Sequence, residues 1–386
     1  MTTSWSANDA GDQAGRIAIV TGANTGLGYE TASALAGTGA RVILACRNRE
    51  KAEAARERIL LQHPSARVDV RIVDTGSLGS VRQFADAFRR DHGRLDLLIN
   101  NAGIMITPYF ETPDGFEGQL GVNYLGHFLL TGLLLPVLVE TPNSRVVSLY
   151  SVAANWSGIQ FDDLQFREKY DANRSYSQSK LACLMFALEL NKRLRAAGRD
   201  TIALAAHPGF SRSDLSRHLP WIVRATLSLA GPFLLQSTAD GALPSLYAAL
   251  GDGLHGGEAI GPAGRNETRG PPTVVRPMPM HWKRHNEHDC GQFPKSSVTS
   301  NTNSEREGRE GREGREGRAG EAGSLRRTPG QGPGFADGPA AVFAIPEQGM
   351  QLPCIRHVSA NAAGKDRCIR SGTPTRAQCA NSRTTR

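Results

Sequence analysis

The topology of this chain is set in Arg16-Ile17-Ala18-Ile19-Val20-Thr21-Gly22-Ala23-Asn24-Thr25-Gly26-Leu27-Gly28. Its apolar, β-branched first half is typical of a buried strand, and the residues from Gly28 to Leu35 are typical of a helix. Strand, glycine-rich turn and helix in this order are the context that a dinucleotide-binding turn requires. The glycines let the backbone approach a pyrophosphate, to which the helix N-terminus presents N–H groups. The spacing Thr-Gly-x-x-x-Gly-x-Gly differs from the standard Gly-x-Gly-x-x-Gly, so the flanking elements carry the prediction.

Beyond this segment, strand-like and helix-like stretches alternate, which predicts a parallel sheet wound on both faces. The expected strands are residues 16–20, 41–45, 68–73, 95–99, 145–149, 201–206 and part of 256–262. The expected helices are residues 77–92, a long helix from the turn at 112–115 to about 138, a helix whose first turns hold Tyr176 and which runs to about 197, and helical segments within 215–250. The predicted fold class is therefore α/β, a Rossmann-type doubly wound parallel sheet of about seven strands in one domain.

Composition divides the 386 residues into three parts. We expect a flexible N-terminus at 1–15, a nucleotide-binding domain at 16–276 and a disordered, low-complexity tail at 277–386. Of the formal charge of +8, residues 279–386 contribute +6, so the basic character does not indicate a nucleic-acid partner for the domain. The tail holds four successive Arg-Glu-Gly triplets from Arg306, without the proline of a collagen repeat. We interpret it as an aberrant extension, such as a shifted reading frame, which sequencing the gene around codon 276 would test.

Cysteine usage and hydropathy bear on the compartment. Only Cys46 and Cys183 precede residue 279, which fits a reducing environment and predicts a cytoplasmic protein. Residues 1–15 contain no apolar core of the kind found in a signal peptide. The sequence also has no run of about 18 apolar residues, so no transmembrane segment is predicted. The apolar stretch 219–235 leaves peripheral membrane contact open. No metal site is predicted, because the tail histidines and Cys290 lack paired ligand spacing.

The second strand bears on the choice of nucleotide. An acidic residue near its end would bind the ribose 2′-hydroxyl of NAD, but this strand runs into Cys46-Arg47. Arg47 at that place favours a 2′-phosphate and hence NADP(H) over NAD(H). The alternative is that Arg47 is a solvated residue at the start of a charged helix. Asp74, after the third strand, either accepts from an adenine amino group or caps its own loop.

Tyr176 and Lys180 are four residues apart on a predicted helix and therefore share a face. A phenol has a pKa of about 10, and a fixed cation beside it is the simplest way to lower that value toward neutrality. Taken alone, this spacing is common by chance. Ser151 is expected at the carboxyl end of the fifth strand, where open α/β sheets bind ligands. Asn123 lies among apolar residues and must be hydrogen-bonded there, either across the fold or as the cap of a kinked turn. Asn100-Asn101-Ala102-Gly103 forms either a turn or a backbone shelf beside the nucleotide.

In this order, the glycine turn, Asn100-Asn101-Ala102-Gly103, Asn123, Ser151 and Tyr176 with Lys180 resemble the short-chain dehydrogenase/reductase family over residues 16–275. Phe161-Asp162-Asp163-Leu164, Ala45-Cys46-Arg47, Ala206-His207-Pro208-Gly209 and Tyr176-Ser177-Gln178-Ser179-Lys180-Leu181-Ala182 are similar to its retinol-dehydrogenase-like branch, which generally uses NADP(H).

The resemblance implies a role for each catalytic residue. Tyr176 would be the general acid/base, and Ser151 would orient and polarise the substrate oxygen. Lys180 would lower the pKa of Tyr176 and hydrogen-bond the nicotinamide ribose, and Asn123 would help to hold a water that leads to solvent. Ser213 stands where a threonine often binds the carboxamide, and it keeps the hydroxyl. The implied nucleotide-binding residues are Gly22, Asn24, Thr25, Gly26, Leu27, Gly28, Arg47, Asp74, Asn101, Ala102, Gly103, Tyr176, Lys180, Pro208, Gly209 and Ser213.

Two positions depart from the pattern near the expected centre. Tyr150 replaces the first serine of a Ser-Ser pair, and Ala154 replaces a histidine common in the close branch. Ser148 is an alternative to Ser151, but it would lie inside the strand. We expect these changes to affect substrate choice more than the chemistry.

The predicted function is an NADP(H)-dependent oxidoreductase, a carbonyl reductase or alcohol dehydrogenase acting on a small, hydrophobic carbonyl or alcohol. Two alternatives stay open: an NADP(H)-binding redox sensor without turnover, and an inactive product of the altered C-terminus. The apolar residues expected around the substrate are Trp156, Leu215, Leu219, Trp221, Ile222, Val223 and Leu227. The apolar face of 219–235 could equally pack on the domain or rest on a membrane. The resemblance also implies a homodimer or homotetramer through the long helices that hold Asn123 and Tyr176.

Overall fold

A central sheet of eight strands organises the part of the chain that the computed structural model describes, residues 5–211 and 236–276. The strands are β1 Ile17–Thr21, β2 Arg41–Cys46, β3 Arg67–Ile72, β4 Leu97–Asn100, β5 Arg145–Leu149, β6 Ile202–Ala206, β7 Ala259–Pro262 and β8 Pro272–Val275. They lie in the order β3-β2-β1-β4-β5-β6-β7-β8. Neighbouring strands are parallel except for β7 and β8, which are antiparallel. These residues belong to the first of two compact units, Met1–Val342; the second, Phe343–Arg386, lies outside the described residues.

Helices connect the parallel strands. They are α1 Gly26–Gly37, α2 Arg49–Gln62, α3 Leu78–Asp91, α4 Gly118–Val139, α5 Ala172–Ala196 and α6 Thr238–Leu250, with short 3₁₀ turns at Ala7–Ala10, Val152–Asn155 and Arg265–Glu267. The central strands read as continuous apolar runs because both of their faces are covered. Val20, Ile99 and Val147, on three adjacent strands, are fully buried. The reversal of strand order between β1 and β4 creates the crevice at which such sheets bind ligands.

Side-chain caps fix where the helices begin. Asp171 accepts hydrogen bonds from the backbone N–H groups of Asn173 and Arg174, so α5 starts at Ala172. Its predicted start near Tyr176 is therefore one turn late. As a result Tyr176 and Lys180 lie on the second and third turns of a helix that is already anchored, and both side chains are buried.

The doubly wound α/β fold is confirmed, with two differences from the prediction. The long helix α4 begins at Gly118 rather than near residue 112, because residues 112–115 close a turn in which the Gly115 N–H donates to the Thr112 carbonyl. The buried Glu117 carboxylate then caps the helix by accepting from two N–H groups of its first turn. The sheet also has an eighth strand, β8, which is antiparallel and was not predicted.

Helix α4 is long and apolar enough to cross a membrane, with a mean hydropathy of 1.7 over its best window. This differs from the prediction, which found no such segment. Just over half of that window, 56%, is buried inside the domain, where α4 packs against α3 and α5. Length and composition alone are weak grounds for a span, because the core helix of a soluble protein meets the same criteria. The predicted tail at 277–386 and the apolar stretch 219–235 lie outside the described residues.

Candidate active site

The glycine turn between β1 and α1 has the backbone that its composition predicts. Gly22 and Gly26 have φ of +66° and +58°, the left-handed region that favours glycine. A Cβ on Gly28 would lie 2.5 Å from the Gly22 carbonyl oxygen and would collide with the Asn101 side-chain amide. Nothing lies within 4 Å of the Cβ position of Gly26. The turn is therefore closely packed toward the sheet and open at Gly26, above the N-terminus of α1.

Residues 100–103 form the backbone shelf rather than an isolated turn. The Thr21 hydroxyl, at the end of β1, accepts hydrogen bonds from the N–H groups of Asn101 and Ala102, both at 2.9 Å. The Asn101 side chain donates to the Thr21 carbonyl at 2.7 Å. The shelf carries Gly103 to the catalytic residues, since a Cβ there would lie 3.2 Å from Asn123 Oδ1 and 3.4 Å from Lys180 Nζ.

Lys180 is enclosed at the base of the site. Its ammonium donates to the Leu149 carbonyl, the last residue of β5, at 3.1 Å. Among the described residues this is its one hydrogen bond, so two of its three N–H donors remain for another partner. Burial lowers the pKa of Lys180. A buried cation with spare donors beside a glycine is suited to a neutral polar ligand such as a sugar hydroxyl.

Tyr176 and Ser151 meet as the sequence predicts. Ser151 follows β5 and caps the turn Val152–Asn155, and its hydroxyl hydrogen-bonds the buried Tyr176 side chain. Burial raises the pKa of Tyr176 to about 12, although the hydrogen bond from Ser151 favours the phenolate. In the protein alone the Lys180 ammonium donates to the Leu149 carbonyl, and its effect on the pKa of Tyr176 stays a prediction.

Asn123 occupies a turn of π-helix, Gly121–Leu125, inside α4. Such turns widen a helix locally and are frequent at functional sites. The Asn123 amide pairs with both backbone groups of Ile104, at 2.8 and 3.0 Å, and donates to Ser179 on α5 at 2.9 Å. Asn123 thus joins α4, the segment that follows the shelf, and the catalytic helix. It is not a local cap.

The two residues predicted to contact the adenosine lie at the ends of neighbouring strands. Arg47 is exposed after β2, and the following residue, Asn48, caps α2. Asp74 accepts from the Gly76 N–H at 2.9 Å, so one of its oxygens caps its own loop. A residue that was not predicted, Arg58 on α2, donates to the Asn24 carbonyl of the glycine turn at 3.2 Å.

Pro208 and Gly209 follow β6. Gln236 donates to the Pro208 carbonyl at 2.6 Å, and Gly209 has φ of +60° with the Glu267 carbonyl 2.9 Å from its Cβ position. His207 Nε2 donates to the Glu267 carboxylate at 2.9 Å, a contact between residues 60 positions apart that no local pattern announces. The Tyr150 ring packs edge-on against His207 with centroids 5.0 Å apart. The Tyr150 side chain is therefore packed against His207.

Two aromatic side chains in the segments after Ser151 and Gly209 are exposed. Trp156 is 58% exposed and Phe210 is 44% exposed. Ser148 lies inside β5 and donates to the Cys183 carbonyl at 3.2 Å, as expected for a strand residue. Ala154 is buried in the turn after Ser151. The other predicted contacts lie outside the described residues: Ser213, Leu215, Leu219, Trp221, Ile222, Val223 and Leu227.

Two buried residues around Asn123 were also missed. The Asn123 carbonyl accepts from His127 Nδ1 at 2.8 Å and from the Cys183 thiol at 3.3 Å. The spacing of His127, four residues after Asn123 on the same helix, was a signal that could have found it. Cys183, three residues after Lys180, lies on the same face of α5 for the same reason.

Residues 16–220 match the family model for short chain dehydrogenases. The chain belongs to the short-chain dehydrogenase family. It is similar to retinol dehydrogenase 12 of Homo sapiens, at 45% identity over 240 residues, which cover 62% of this chain and 75% of that protein. It is also similar to human retinol dehydrogenase 13, at 45% identity over 246 residues that cover 62% of this chain and 73% of that protein. The resemblance to the retinol-dehydrogenase-like branch is thereby confirmed.

Solved structures agree on the fold. An uncharacterised protein from Mycobacterium paratuberculosis matches with a TM-score of 0.59 and 42% identity, over 71% of this chain and 90% of that one. The RhlG/NADP active-site complex of Pseudomonas aeruginosa matches with a TM-score of 0.52 and 24% identity, over 64% of this chain and 94% of that one. Members of the family are oxidoreductases that bind NAD or NADP and small substrates.

The residues present fit such a nucleotide in this short-chain dehydrogenase. The open backbone at Gly26 lies at a helix N-terminus, where phosphate is favoured. Gly103 is the position at which a side chain would fill the space beside the Lys180 ammonium. That ammonium has two donors to spare. Pyrophosphate at the turn and ribose hydroxyls at Lys180 would satisfy these groups together.

Proposed function

We propose that this protein is an NADP(H)-dependent dehydrogenase/reductase with Tyr176 as general acid/base. Its substrate would be a small, hydrophobic carbonyl compound or the corresponding alcohol. The observation that carries the proposal is the buried meeting of Tyr176 and Ser151, with Lys180 one helical turn away between Leu149 and Gly103. When bound, the nicotinamide nucleotide gives or takes the hydride.

Each side chain has one task in the proton transfer. The pKa of Tyr176, raised to about 12, keeps the phenol protonated at neutral pH, so it is ready to donate its proton to a carbonyl oxygen. Ser151 hydrogen-bonds both the phenol and that oxygen, which orients the acceptor and favours the phenolate that remains. Buried Lys180 provides a positive charge near this phenolate. Because a general acid/base works best with a pKa near the operating pH, turnover in either direction requires the pKa of Tyr176 to fall when nucleotide binds.

The catalytic role is tested by Tyr176→Phe in the full-length protein. General acid/base groups contribute about 10² to 10⁴ in rate, so kcat for reduction of hydrophobic ketones and aldehydes by NADPH should fall about 10³-fold. Nucleotide affinity, measured by calorimetry, should change less than about threefold, because the phenol touches the reacting oxygen. Tyr247→Phe, on α6, is the matched control and should match the parent protein. Equal kcat for Tyr176→Phe and the parent would remove Tyr176 from the mechanism.

The preference for NADP(H) rests on Arg47 and on the lack of an acidic residue at the end of β2. A charge-assisted hydrogen bond to the 2′-phosphate is worth about 1.5–3 kcal/mol. Arg47→Gln should therefore weaken NADPH binding about 10- to 100-fold and leave NADH unchanged. Arg49→Gln is the control, because Arg49 lies two residues farther on, at the start of α2, and faces Glu53 at 3.8 Å. Equal losses for both nucleotides would argue that Arg47 is only a solvated helix-start residue.

The substrate class rests on the relatives, which are named as retinol dehydrogenases, and on the exposed aromatic rings of Trp156 and Phe210, which follow Ser151 and Gly209 in the chain. An apolar, lipid-like alcohol or aldehyde follows. The complete set of Asn123, Ser151, Tyr176 and Lys180 favours an enzyme over a nucleotide sensor without turnover. Turnover of NADPH with any member of a carbonyl panel would distinguish the two.

A cytoplasmic location is part of the proposal. Its support is that Cys46 and Cys183 are both free and buried, as in proteins of reducing compartments. Fractionation of cells that express the full chain tests it. Recovery with washed membranes would favour the alternative of peripheral membrane contact.

A further inference from the structure

A histidine connects the two halves of the active site. His127 lies one turn beyond Asn123 on α4 and is 3% exposed. Its Nδ1 lies 2.8 Å from the Asn123 carbonyl oxygen, and its Nε2 lies 2.9 Å from the Thr21 hydroxyl at the end of β1. The ring therefore spans the space between the strand that leads into the glycine turn and the π-turn that holds Asn123.

The hydrogen-bonding groups around the ring decide which nitrogen carries the proton. A carbonyl oxygen only accepts, so Nδ1 must carry the hydrogen that points at Asn123. A hydroxyl has one proton and two acceptor positions, and the Thr21 oxygen accepts from the N–H of Ala102 and from that of Asn101, which is shared with the Ile99 carbonyl at 3.0 Å. Thr21 can therefore only donate toward His127, to a bare Nε2. Its other acceptor, the Ile99 carbonyl, is farther away at 3.3 Å.

The charge state agrees with this assignment. Burial and the nearby Lys180 lower the pKa of His127 to about 4, although the Asn123 carbonyl favours the charged form. The ring is neutral at physiological pH, and a neutral ring has one donor and one acceptor.

The Asn123 carbonyl has a second lone pair, and its partner there is weak. The Cys183 thiol donates to it at 3.3 Å, and thiols are poor donors. A water could replace that contact at little cost, whereas the His127 contact is short and buried. Lys180 Nζ and Asn123 Oδ1 lie 3.4 and 3.2 Å from the Cβ position of Gly103, so the catalytic lysine and Asn123 are neighbours.

We propose that His127 is a positioning residue: held in its Nδ1–H form by Thr21, it fixes the Asn123 carbonyl and leaves one lone pair for proton transfer near Lys180. The inference rests on the proposed function for what Asn123 does during turnover. The hydrogen-bonded bridge from Thr21 to Asn123 is independent of that function. A simpler reading makes His127 a satisfied core residue whose loss lowers stability alone.

The bridge is tested without turnover. In protein labelled with ¹⁵N-histidine, the shifts of the His127 ring nitrogens should report the Nδ1–H tautomer at neutral pH, with or without nucleotide. Thr21→Val removes the hydroxyl that donates to Nε2, so the fraction of the Nδ1–H tautomer should fall, although the Asn123 carbonyl still favours it. An Nε2–H ring in the parent protein would overturn the proposal, whether or not a substrate has been found.

The role in turnover is tested by replacing the ring in two ways. His127→Asn places an amide donor near the Nδ1 position and should keep kcat within about threefold. His127→Phe fills the space without a donor and leaves a buried carbonyl short of a partner, and it should lower kcat at least tenfold with both KM values within twofold. Ser144→Ala is the control for lost stability, because it removes a buried hydrogen bond at the opposite edge of the sheet.

The outcomes separate the two readings. If the asparagine variant rescues kcat and Ser144→Ala lowers only the melting temperature, His127 acts through Asn123. Equal kcat in the phenylalanine variant and the parent would overturn the role in turnover. So would equal losses in the asparagine and phenylalanine variants. Loss of all turnover in Tyr176→Phe with an intact bridge would support both proposals, whereas unchanged turnover there would remove only the proposed function.

Discussion

The nucleotide side and the substrate side of Tyr176 are built in different ways. On the nucleotide side, β1, the glycine turn and the shelf at 100–103 hold one another through backbone groups and through the hydroxyl of Thr21. The irregular segments after β5 and β7, where we expect the substrate side, carry non-glycine residues in the left-handed region, including Phe166, Asn266 and Glu267. Trp156 and Phe210, which follow β5 and β6 in the chain, are exposed.

The difference indicates which half of the site tolerates change. A backbone that meets other backbone within contact distance cannot accept a new side chain, so the glycine turn at Gly28 is closed to substitution. Loops on the surface of such a scaffold accept substitutions, and they commonly determine what is bound. We therefore expect substitutions on the two sides to have unequal effects.

The largest effect should come from Gly28→Ala on the nucleotide side. The new Cβ would lie 2.5 Å from the Gly22 carbonyl, and backbone cannot move aside cheaply. We expect nucleotide affinity to fall about 100-fold, which corresponds to about 2.7 kcal/mol, together with a lower melting temperature. Calorimetry with NADPH and thermal unfolding measure the two effects.

Gly132→Ala is the control for that change. Gly132 lies in α4 with no atom within 4 Å of its Cβ position. The substitution should leave nucleotide binding unchanged and stabilise the helix by up to about 1 kcal/mol. If Gly28→Ala binds NADPH as well as Gly132→Ala does, the glycine turn is not less tolerant of substitution than the rest of the protein.

A smaller effect should appear when pH is lowered, because His127 and His207 are both buried and neutral. Burial lowers the pKa of each, that of His127 to about 4, from the value of about 6.5 in an unfolded chain. As pH falls below 6.5, the unfolded chain binds a proton that the folded chain refuses, so the free energy of unfolding decreases. Between pH 7 and pH 5, His127 should account for a loss of about 2 kcal/mol.

His207 should contribute less than His127 to that loss. A proton on His207 would meet the Glu267 carboxylate at 2.9 Å, whereas a proton on His127 would be repelled by Lys180. Urea unfolding at pH 7, 6 and 5 should therefore show a shallower slope for His127→Asn than for His207→Gln. A shallower slope for His207→Gln than for His127→Asn would mean that His207, and not His127, is the histidine more strongly kept from protonation in the folded protein.

The smallest effect should come from Trp156→Ala on the substrate side. Because the ring is 58% exposed, stability should change by no more than about 0.5 kcal/mol. The KM of a long apolar aldehyde should rise about threefold to tenfold, with nucleotide affinity unchanged, since burial of part of the ring against substrate is worth about 1 kcal/mol. Leu61→Ala, at an 81% exposed position on α2, should alter neither value and serves as the control. Unchanged KM for short and long aldehydes would remove Trp156 from the substrate side.

Much of the fold was predictable because it depends on local periodicity. β5 was predicted to the residue, and most other strands were predicted to within one or two residues. The start of α4 was wrong because the Glu117 carboxylate, and not the turn at 112–115, caps the helix. β8 was missed because Pro272-Thr273-Val274-Val275 is a strand only through its pairing with β7. Local propensity contains no information about such a partner.

The candidate site divides along the same line. Order and spacing along the chain determined by themselves the glycine turn and the placement of Ser151 and Tyr176, since these residues stand at strand ends or on one helix face. They left residues 100–103 as either a turn or a shelf. Tertiary structure alone decided that His127 meets Thr21 across 106 positions and that His207 meets Glu267 across 60. It also decided that the pKa of Tyr176 rises in the protein alone, because desolvation depends on everything packed around a group. Sequence spacing determines which groups can converge, and only packing determines how much water is left between them.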